Sequence, residues 1–373
     1  MKRTIALLLI LTLMLSGCGA TTAAPTEPEV ITLPTEATAA AETTASEAAT
    51  EAAEAAEETT EATEPRPLEN PLNGEVLDAP FTDRIFASTI SNMKENLPHV
   101  NMVKADVVME MFVNNTIVRC LALFSNIEEA EAIGSTRSTR PIFNQIAQHY
   151  SLIVAHAGGS PLALEDAESR GIENFNIDSW TVAQAGTSYR DTEYKRAYEN
   201  TLFGVGSGIK AYAEAQGYPM TLEKDYGFRF TDDGTPADGE DAAEITITLA
   251  YQGNIKKDTV MKYDAETQKY VYNQYDMEMH DQITDEVESF RNVIVMFAPM
   301  ETMDIYYKAD FNAGGNGYFA CGGKIVPITW TCDGDTEPFR FFNADGTELE
   351  LGRGNTYIGI SNVNESANVT WTA

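Results

Sequence analysis

The stretch ADVVMEMFVNNTIVRCLALF, residues 105–124, decides the fold. Its two halves are rich in β-branched and other apolar residues, and they flank the pair Asn114–Asn115. Asparagine tolerates the positive φ angles that a tight hairpin turn needs. The stretch therefore predicts two antiparallel strands joined by a short turn.

Strands and helices intermix on both sides of this hairpin. DRIFASTISN (83–92) and SLIVAHA (151–157) indicate further strands. The predicted helices are SNIEEAEAIG (125–134), RPIFNQIAQHY (140–150), PLALEDAESRG (161–171), DTEYKRAYENTLF (191–203) and GIKAYAEAQG (208–217). Residues 69–220 are therefore predicted to form an α/β (or α+β) N-terminal domain.

The remainder of the chain is predicted to be a mostly β C-terminal domain, residues 244–373. Short runs such as EITITLAY and NVIVMFA recur between turn residues, as in a sandwich or barrel. Residues 221–243 include an acidic, Gly-rich stretch whose oxygen ligands are out of register for an EF-hand. We interpret this segment as a solvated linker.

The first residues predict export and lipidation. Lys2 and Arg3 precede an apolar stretch that is too short to span a bilayer, as in a signal peptide over residues 1–17. The sequence Leu15-Ser16-Gly17-Cys18 resembles a bacterial lipobox, which implies a diacylglycerol on Cys18. The alternative is a plain secretory signal with an incidental cysteine.

Composition then separates a stalk from the folded part. Residues 18–68 are mainly Ala, Thr, Glu and Pro, so they are predicted to be disordered. The formal net charge of the chain is −32. Most of it falls on the folded part, which argues against nucleic acid as a partner.

The remaining cysteines predict little chemistry. Cys120 lies in an apolar strand pattern and is expected to be buried. A hairpin turn at Gly322–Gly323 would place Cys321 opposite Lys324, so that register does not pair Cys321 with Cys332. No metal-ligand spacing occurs, and no cofactor or metal is expected.

Two junctions between a loop and a helix are candidates for anion binding. Arg137 and Arg140 precede the predicted helix at Pro141, and Gly158, Gly159 and Ser160 precede the helix at Pro161. Helix N-termini favour anions, and guanidinium groups match carboxylates and phosphates. The alternatives are internal ion pairs for the arginines and an ordinary capped turn for the glycines.

A second set of side chains is compatible with a hydrolase site. Asp106 and Glu110, four residues apart on one strand, would accompany His156 and Asp191 as acid, base or assisting groups. Arg190 and Arg196 add cations to the anion-binding candidates. The same residues could form a buried salt-bridge network, and the chain has no nucleophile elbow, HExxH motif or Walker loop.

Several of these motifs together resemble the YerB family of bacterial lipoproteins. They are Ala105–Glu110, Arg119, Gly134–Pro141, His156–Ser160, Tyr189–Asp191, Asn292–Val295, Gly315–Gly317, Trp330 and Phe342–Ile360. The resemblance implies two consecutive domains of unknown function in a surface lipoprotein of Gram-positive type. It supplies no reaction.

One segment departs from the family pattern. Arg-x-Pro-His-Asn is expected after Tyr189–Asp191, but this chain has Tyr198-Glu199 in place of Pro-His, between Arg196 and Asn200. A catalytic or metal-binding role for that histidine would be missing here. The departure favours an arginine-lined cleft over an enzyme.

The sequence thus predicts an extracytoplasmic lipoprotein with a binding or scaffolding role at the cell envelope. The membrane would hold it through its lipid, and its partner would be an envelope polymer fragment or a membrane or wall protein. The alternatives are a hydrolase acting on envelope glycan or phosphodiester, and a solute-binding lipoprotein, which would need two similar α/β lobes.

Overall fold

The hairpin of residues 105–124 lies inside a large sheet in the computed structural model, which describes residues 67–373 except 194, 251–255 and 364–367. The predicted signal peptide and Cys18 lie outside these residues, as does all of the stalk before residue 67. Helices of the described part are α1 (Pro141–Tyr150), α2 (Pro161–Ser169), α3 (Trp180–Val182), the π-helical Ala183–Thr187 and α4 (Gly206–Ala215). Short 3₁₀ turns are Lys94–Asn96, Met102–Lys104, Ile127–Glu129, Tyr198–Asn200 and Phe311–Ala313.

Strands make up most of the regular structure. In the first half they are β1 (Phe86–Ser91), β2 (Val107–Phe112), β3 (Val118–Phe124), β4 (Ile133–Gly134), β5 (Ile153–His156), β6 (Asn174–Asn176), β7 (Ser188–Arg190), β8 (Leu202–Gly204), β9 (Phe230–Thr231) and β10 (Glu240–Asp241). In the second half they are β11 (Glu244–Ala250), β12 (Lys256–Asp264), β13 (Lys269–Gln274), β14 (Met277–Glu278), β15 (Ser289–Phe290), β16 (Asn292–Ala298), β17 (Met300–Met303), β18 (Tyr306–Ala309), β19 (Gly315–Cys321), β20 (Lys324–Thr331), β21 (Arg340–Phe342), β22 (Leu351–Gly352), β23 (Thr356–Asn362) and β24 (Asn368–Thr372). The predicted class, α/β first and mostly β afterwards, is confirmed.

One sheet of 11 strands joins the two halves of the chain. Its order is β10-β20-β19-β16-β23-β2-β3-β1-β5-β6, with β21 on β20. The predicted hairpin is confirmed as β2 and β3, with Glu110 opposite Cys120. Its outer neighbour β23 comes from the end of the chain and runs parallel to β2, with Val107 opposite Thr356. The central strands are therefore contributed by segments far apart in sequence.

A second sheet of six strands packs beside the first. Its order is β14-β13-β12-β11-β24, with β15 on β13. Apolar side chains of both halves of the chain form one continuous core, which includes Leu121 from the first half and Tyr272 from the second. The chain from residue 65 onward is accordingly one compact unit.

The expected linker, residues 221–243, takes part in this core. Tyr226, Phe228 and Phe230 are buried. Strand β9 pairs with β22, and β10 pairs with β20. The acidic residues lie between these anchored points, which is a different arrangement from a free solvated linker.

The helices at Pro141 and Pro161 form as the sequence predicts. Proline suits the first helical position because its missing N–H needs no partner there. The Ser160 hydroxyl accepts a hydrogen bond from the Ala163 N–H at 3.2 Å, and Gly171 follows α2 with φ +67°. Ser160 is therefore the predicted N-cap, and glycine supplies the left-handed conformation after the helix.

Two predicted helices were wrong because tertiary contacts replace them. Residues 125–134 form only a 3₁₀ turn and β4, since α4 abuts this segment and the Gly206 N–H donates to the Ala130 carbonyl at 3.0 Å. A Cβ at Gly206 would lie 1.9 Å from the Ile127 oxygen, so only glycine fits. Residues 191–203 contain a 3₁₀ turn and β8, which pairs with β4 and β7.

The three cysteines of the described part are free and buried. Cys321 lies opposite Lys324, as the predicted turn requires, and not opposite Cys332. Burial raises the pKa of Cys321 and that of Cys332 to about 11, so both remain thiols near neutral pH.

Candidate functional site

The segment before α1 and the turn before α2 are bonded to each other. The Arg137 N–H donates to the Thr89 carbonyl at 2.8 Å, which fixes the segment to the end of β1. The Ala157 N–H donates to the Arg137 carbonyl, and the Thr139 N–H donates to the Gly158 carbonyl, both at 2.9 Å. The two predicted junctions therefore form one surface.

Three arginines meet at this surface, and we call Arg119, Arg137 and Arg140 the arginine cluster. Arg119 projects from β3 with 2% of its surface exposed, and its Nη1 donates to the Ser138 carbonyl. The Arg140 guanidinium lies 4.9 Å from the ring centroid of Tyr306 on β18. Arg137 donates through Nη1 to the Asn200 side chain at 2.8 Å. Two of the three were predicted from the sequence alone.

No described carboxylate forms an ion pair with any member of the cluster. The Nε atoms of Arg119 and Arg140 are buried without a hydrogen-bond partner among the described residues. Burial, and then the nearby Arg140 and Arg137, hold the pKa of Arg119 well below its usual range. Burial is also the main cause that lowers the pKa of Arg137 and of Arg140. The cluster is thus a positive site without an ion-paired carboxylate among the described residues, and Glu199 and Glu95 act on Arg137 only from beyond ion-pair distance.

The N-terminus of α1 adds to this positive potential. Arg140 is its N-cap residue, and no described side chain caps the helix there. Free N–H groups and the helix dipole favour an anion at such an end. The three guanidinium groups and the positive end of the helix dipole thus all favour an anion at this surface.

The glycine turn has structural roles of its own. Gly158 has φ +71°, and its N–H donates to the Asn176 side chain at 2.8 Å. A Cβ at Gly159 would lie 2.9 Å from Leu164 and 3.2 Å from Thr139. Gly158, Gly159 and Ser160 therefore hold the wall of the site in place, and their backbone is partly occupied by protein partners.

The other two candidate arginines are engaged elsewhere. Arg190 forms an ion pair with Asp178 at 2.6 Å and stacks on Tyr198 at 4.0 Å. Arg196 donates to the Pro98 carbonyl and to the Gln282 side chain. Arg190 remains an electrostatic neighbour of Arg137, whereas Arg196 contacts a different part of the surface.

The four candidate catalytic residues do not share a site. Asp106 accepts hydrogen bonds from the Ser125 N–H at 2.7 Å and from Asn73 at 2.6 Å, and burial raises the pKa of Asp106. Asp191 accepts from the Glu193 N–H in a local turn. These bonds are those of structural carboxylates.

His156 is also held by structural partners. Its Nδ1 lies 2.8 Å from the Gly158 carbonyl and its Nε2 lies 2.9 Å from the Asn174 side chain. Burial lowers the pKa of His156. The histidine therefore braces the glycine turn, and it shares no hydrogen-bond partner with Asp106 or Glu110.

Glu110 is the centre of a buried polar network that links the two halves of the chain. Its carboxylate, with 0% exposure, is paired with Lys257 and accepts from Tyr357 at 2.6 Å and from Thr259 at 2.9 Å. Burial alone would raise the pKa of Glu110. Lys257 and the hydrogen bonds outweigh that effect, so the pKa lies below its usual value.

Sequence reasoning missed the continuation of this network. Asn92 donates to Glu110 at 2.6 Å and accepts from His99 Nε2 at 3.1 Å, while His99 Nδ1 lies 2.9 Å from Glu288. His99 and Glu288 are both buried. They are 189 positions apart, and no local pattern marks either residue.

A groove of about 940 Å³ borders the same network on another face. Lys257, Gln274 and Tyr275 are among its lining residues. The arginine cluster is not part of it. Among the described residues, no group of three His, Cys, Asp or Glu side chains is placed to hold a metal ion.

Comparison with known proteins gives the family of the chain. Residues 72–219 match the model described as "Protein of unknown function (DUF3048) N-terminal domain", and residues 247–358 match the corresponding C-terminal domain. The chain belongs to the DUF3048 family. The two DUF3048 models divide the sequence close to the start and end of the segment 221–243, although the strands of both halves share one sheet.

Two relatives agree with this assignment. "Putative lipoprotein YerB" of Bacillus subtilis (strain 168) is 24% identical over 298 residues, which cover 79% of this chain and 86% of that protein. The crystal structure of the YerB protein from Bacillus subtilis superposes with a TM-score of 0.68, at 22% identity, over 81% of this chain and 99% of that one. The DUF3048 fold is thus shared between the two proteins.

Proposed function

We propose that this DUF3048 protein is a lipid-anchored lipoprotein on the extracytoplasmic face of the membrane, with a binding or scaffolding role at the cell envelope. Its arginine cluster would recognise an anionic group on an envelope polymer fragment or on a membrane or wall protein. Residues 1–18, with their lipobox resemblance, support the anchor, and so does the name of the Bacillus subtilis relative. No helix of the described residues is long and apolar enough to cross a bilayer.

The observation that carries the binding proposal is the burial of Arg119 without a carboxylate partner. Removing a charge from water costs several kcal/mol unless an opposite charge and hydrogen bonds compensate it. Among the described residues only the Ser138 carbonyl accepts a hydrogen bond from Arg119, and Tyr306 favours the charge less strongly than Arg140 and Arg137 disfavour it. A bound carboxylate or phosphate would offset both costs, and arginine forks suit either group.

Thermal unfolding of the full chain in detergent tests this proposal. Citrate, inorganic phosphate and muropeptides are added at matched ionic strength, because a ligand of the folded state alone raises the midpoint. We expect a rise in the wild type and none in Arg137→Ala/Arg140→Ala. Arg170→Ala is the matched control, since Arg170 already pairs with Asp166 on α2. Equal shifts in all three proteins, or none in the wild type, would contradict the proposal.

A further inference from the structure

Two aromatic side chains stand out on the surface beside the arginine cluster. Trp180 is 76% exposed and Tyr198 is 69% exposed, the highest values among the large hydrophobic side chains of the described residues. Exposing such rings to water is unfavourable, and contiguous exposed apolar surface commonly marks a binding site. Their exposure is therefore typical of a binding surface.

Arg190 lies against Tyr198 and is bonded to the segment that carries Trp180. Its guanidinium lies 4.0 Å from the ring centroid of Tyr198, and its Nη1 donates to the Tyr198 carbonyl at 2.7 Å. Its Nη2 donates to Asp178 at 2.6 Å, two residues before Trp180. We call Trp180, Arg190 and Tyr198 the aromatic platform, because the guanidinium stacks on one exposed ring and is bonded two residues before the other.

The platform is held by a rigid backbone. The Asp178 N–H donates to the Asn176 side chain at 3.0 Å, and the Ser179 N–H donates to the Asn176 carbonyl at 3.1 Å. Tyr198 lies in a 3₁₀ turn. Its carbonyl also accepts a hydrogen bond from the Thr201 hydroxyl at 2.8 Å. A backbone fixed in this way loses little conformational freedom when a ligand binds.

The platform is continuous with the arginine cluster. Arg137 donates to the carbonyl of Glu199 and to the side chain of Asn200, the two residues that follow Tyr198. Arg190 is also an electrostatic neighbour of Arg137. One surface thus carries exposed ring faces at one end and uncompensated guanidinium groups at the other.

We propose that this surface binds an acidic sugar chain, with sugar rings stacked on Trp180 and Tyr198 and a sugar-borne carboxylate at the arginine cluster. The face of an aromatic ring is electronegative and apolar, so it suits the C–H face of a pyranose. The guanidinium groups suit the carboxylate. This inference rests on the proposed anion site and names its ligand class.

Titration calorimetry of the full chain in detergent, with two matched probes, tests the proposal. One probe is a tetrasaccharide of alternating N-acetylglucosamine and N-acetylmuramic acid, whose lactyl groups carry carboxylates. The other is chitotetraose, which has no charge. We expect measurable binding of the acidic probe and much weaker binding of chitotetraose. Trp180→Ala and Tyr198→Ala should each weaken binding of the acidic probe roughly tenfold, from the usual strength of ring stacking.

The control variants separate this inference from the anion site itself. Val76→Ala truncates another exposed apolar side chain and should leave the tetrasaccharide affinity unchanged. The citrate response of Trp180→Ala should equal that of the wild type.

If citrate stabilises the wild type but the tetrasaccharide does not bind, or binds the platform variants equally well, the sugar inference is overturned and the anion site stands. Binding to phosphatidylglycerol vesicles that depends on Trp180, without tetrasaccharide binding, would also overturn it. Failure with both citrate and tetrasaccharide overturns both proposals.

Discussion

At the scale of single residues, two buried charges differ in how they are compensated. Glu110 has Lys257 and four hydroxyl or amide donors of fixed geometry around it. Arg119 has one backbone carbonyl and an unpartnered Nε. The first arrangement stabilises the junction of the two chain halves. The second is costly on its own, which is typical of a group retained for binding.

Replacing Glu110 by Gln should be strongly destabilising. The change leaves the Lys257 ammonium buried without its counter-charge, and breaking such a pair costs about 3–5 kcal/mol. Denaturant unfolding measures the loss. The double variant Glu110→Gln/Lys257→Met should be more stable than Glu110→Gln alone, because neither charge of the pair then remains buried. A Glu110→Gln loss below about 1 kcal/mol would show that the pair is not buried in solution.

Replacing Arg119 by Met should instead raise the unfolding free energy of the protein without ligand. Methionine fills a similar volume without a charge, so the ligand-free protein should gain about 1 kcal/mol or more in unfolding free energy. The same variant should lose the stabilisation by citrate. Denaturant unfolding with and without citrate checks both effects. A large loss of stability without ligand would mean that the guanidinium is a structural group.

At the scale of elements, local sequence predicts the helices that carry their own end signals. α2 has a serine cap, a proline at its first position and a glycine behind it, and all three act as expected. Residues 125–134 carry similar signals, yet Gly206 at the start of α4 takes the Ala130 carbonyl. A contact with a residue some 75 positions away is invisible to a local pattern, so this helix was predicted wrongly.

Ser160→Ala should remove the cap of α2 and cost about 1 kcal/mol. Ser179→Ala is a suitable control, since Ser179 is the N-cap residue of α3 but makes no capping hydrogen bond. Denaturant unfolding of both variants provides the comparison. Equal effects would mean that the Ser160 hydroxyl does not stabilise the helix.

The candidate site likewise contains residues that the local sequence predicts and contacts that only tertiary folding creates. Arg137 and Arg140 could be predicted because two cations precede a helix start, and Arg119 entered only through its place in a family motif. The bond between Arg119 and the Ser138 carbonyl depends on tertiary folding. The pairing of Glu110 with Lys257 spans 147 positions, and that of His99 with Glu288 spans 189. No single-sequence pattern specifies partners at such distances.

At the scale of the whole molecule, the parallel pairing of β2 with β23 makes the two family domains one structural body. We therefore expect the region from residue 67 onward to unfold in one cooperative transition. Differential scanning calorimetry should give equal calorimetric and van't Hoff enthalpies. Two separable transitions, one removed by truncation after residue 243, would contradict a shared core.

Acid should weaken this body before its carboxylates titrate. Burial lowers the pKa of both His149 and His156, whereas an unfolded histidine has a pKa of about 6.5. Below that pH the unfolded chain binds more protons, so stability present at pH 7 is lost progressively as the pH falls from 7 through the lowered pKa values of the two histidines. Midpoints measured across this range should fall less steeply in His156→Gln. An unchanged slope would mean that His156 titrates normally in the folded state.

The central claim is that the arginine cluster binds an anion, and NMR of the arginine Nε–H groups tests it most directly. The Nε of Arg119 is buried without a hydrogen-bond partner in the part of the chain that the structure describes. On addition of citrate, we expect its proton resonance to shift downfield and its exchange with water to slow, in the wild type but not in Arg137→Ala/Arg140→Ala. An Arg119 resonance that stays unchanged at saturating citrate, in a protein that remains folded, would contradict the claim.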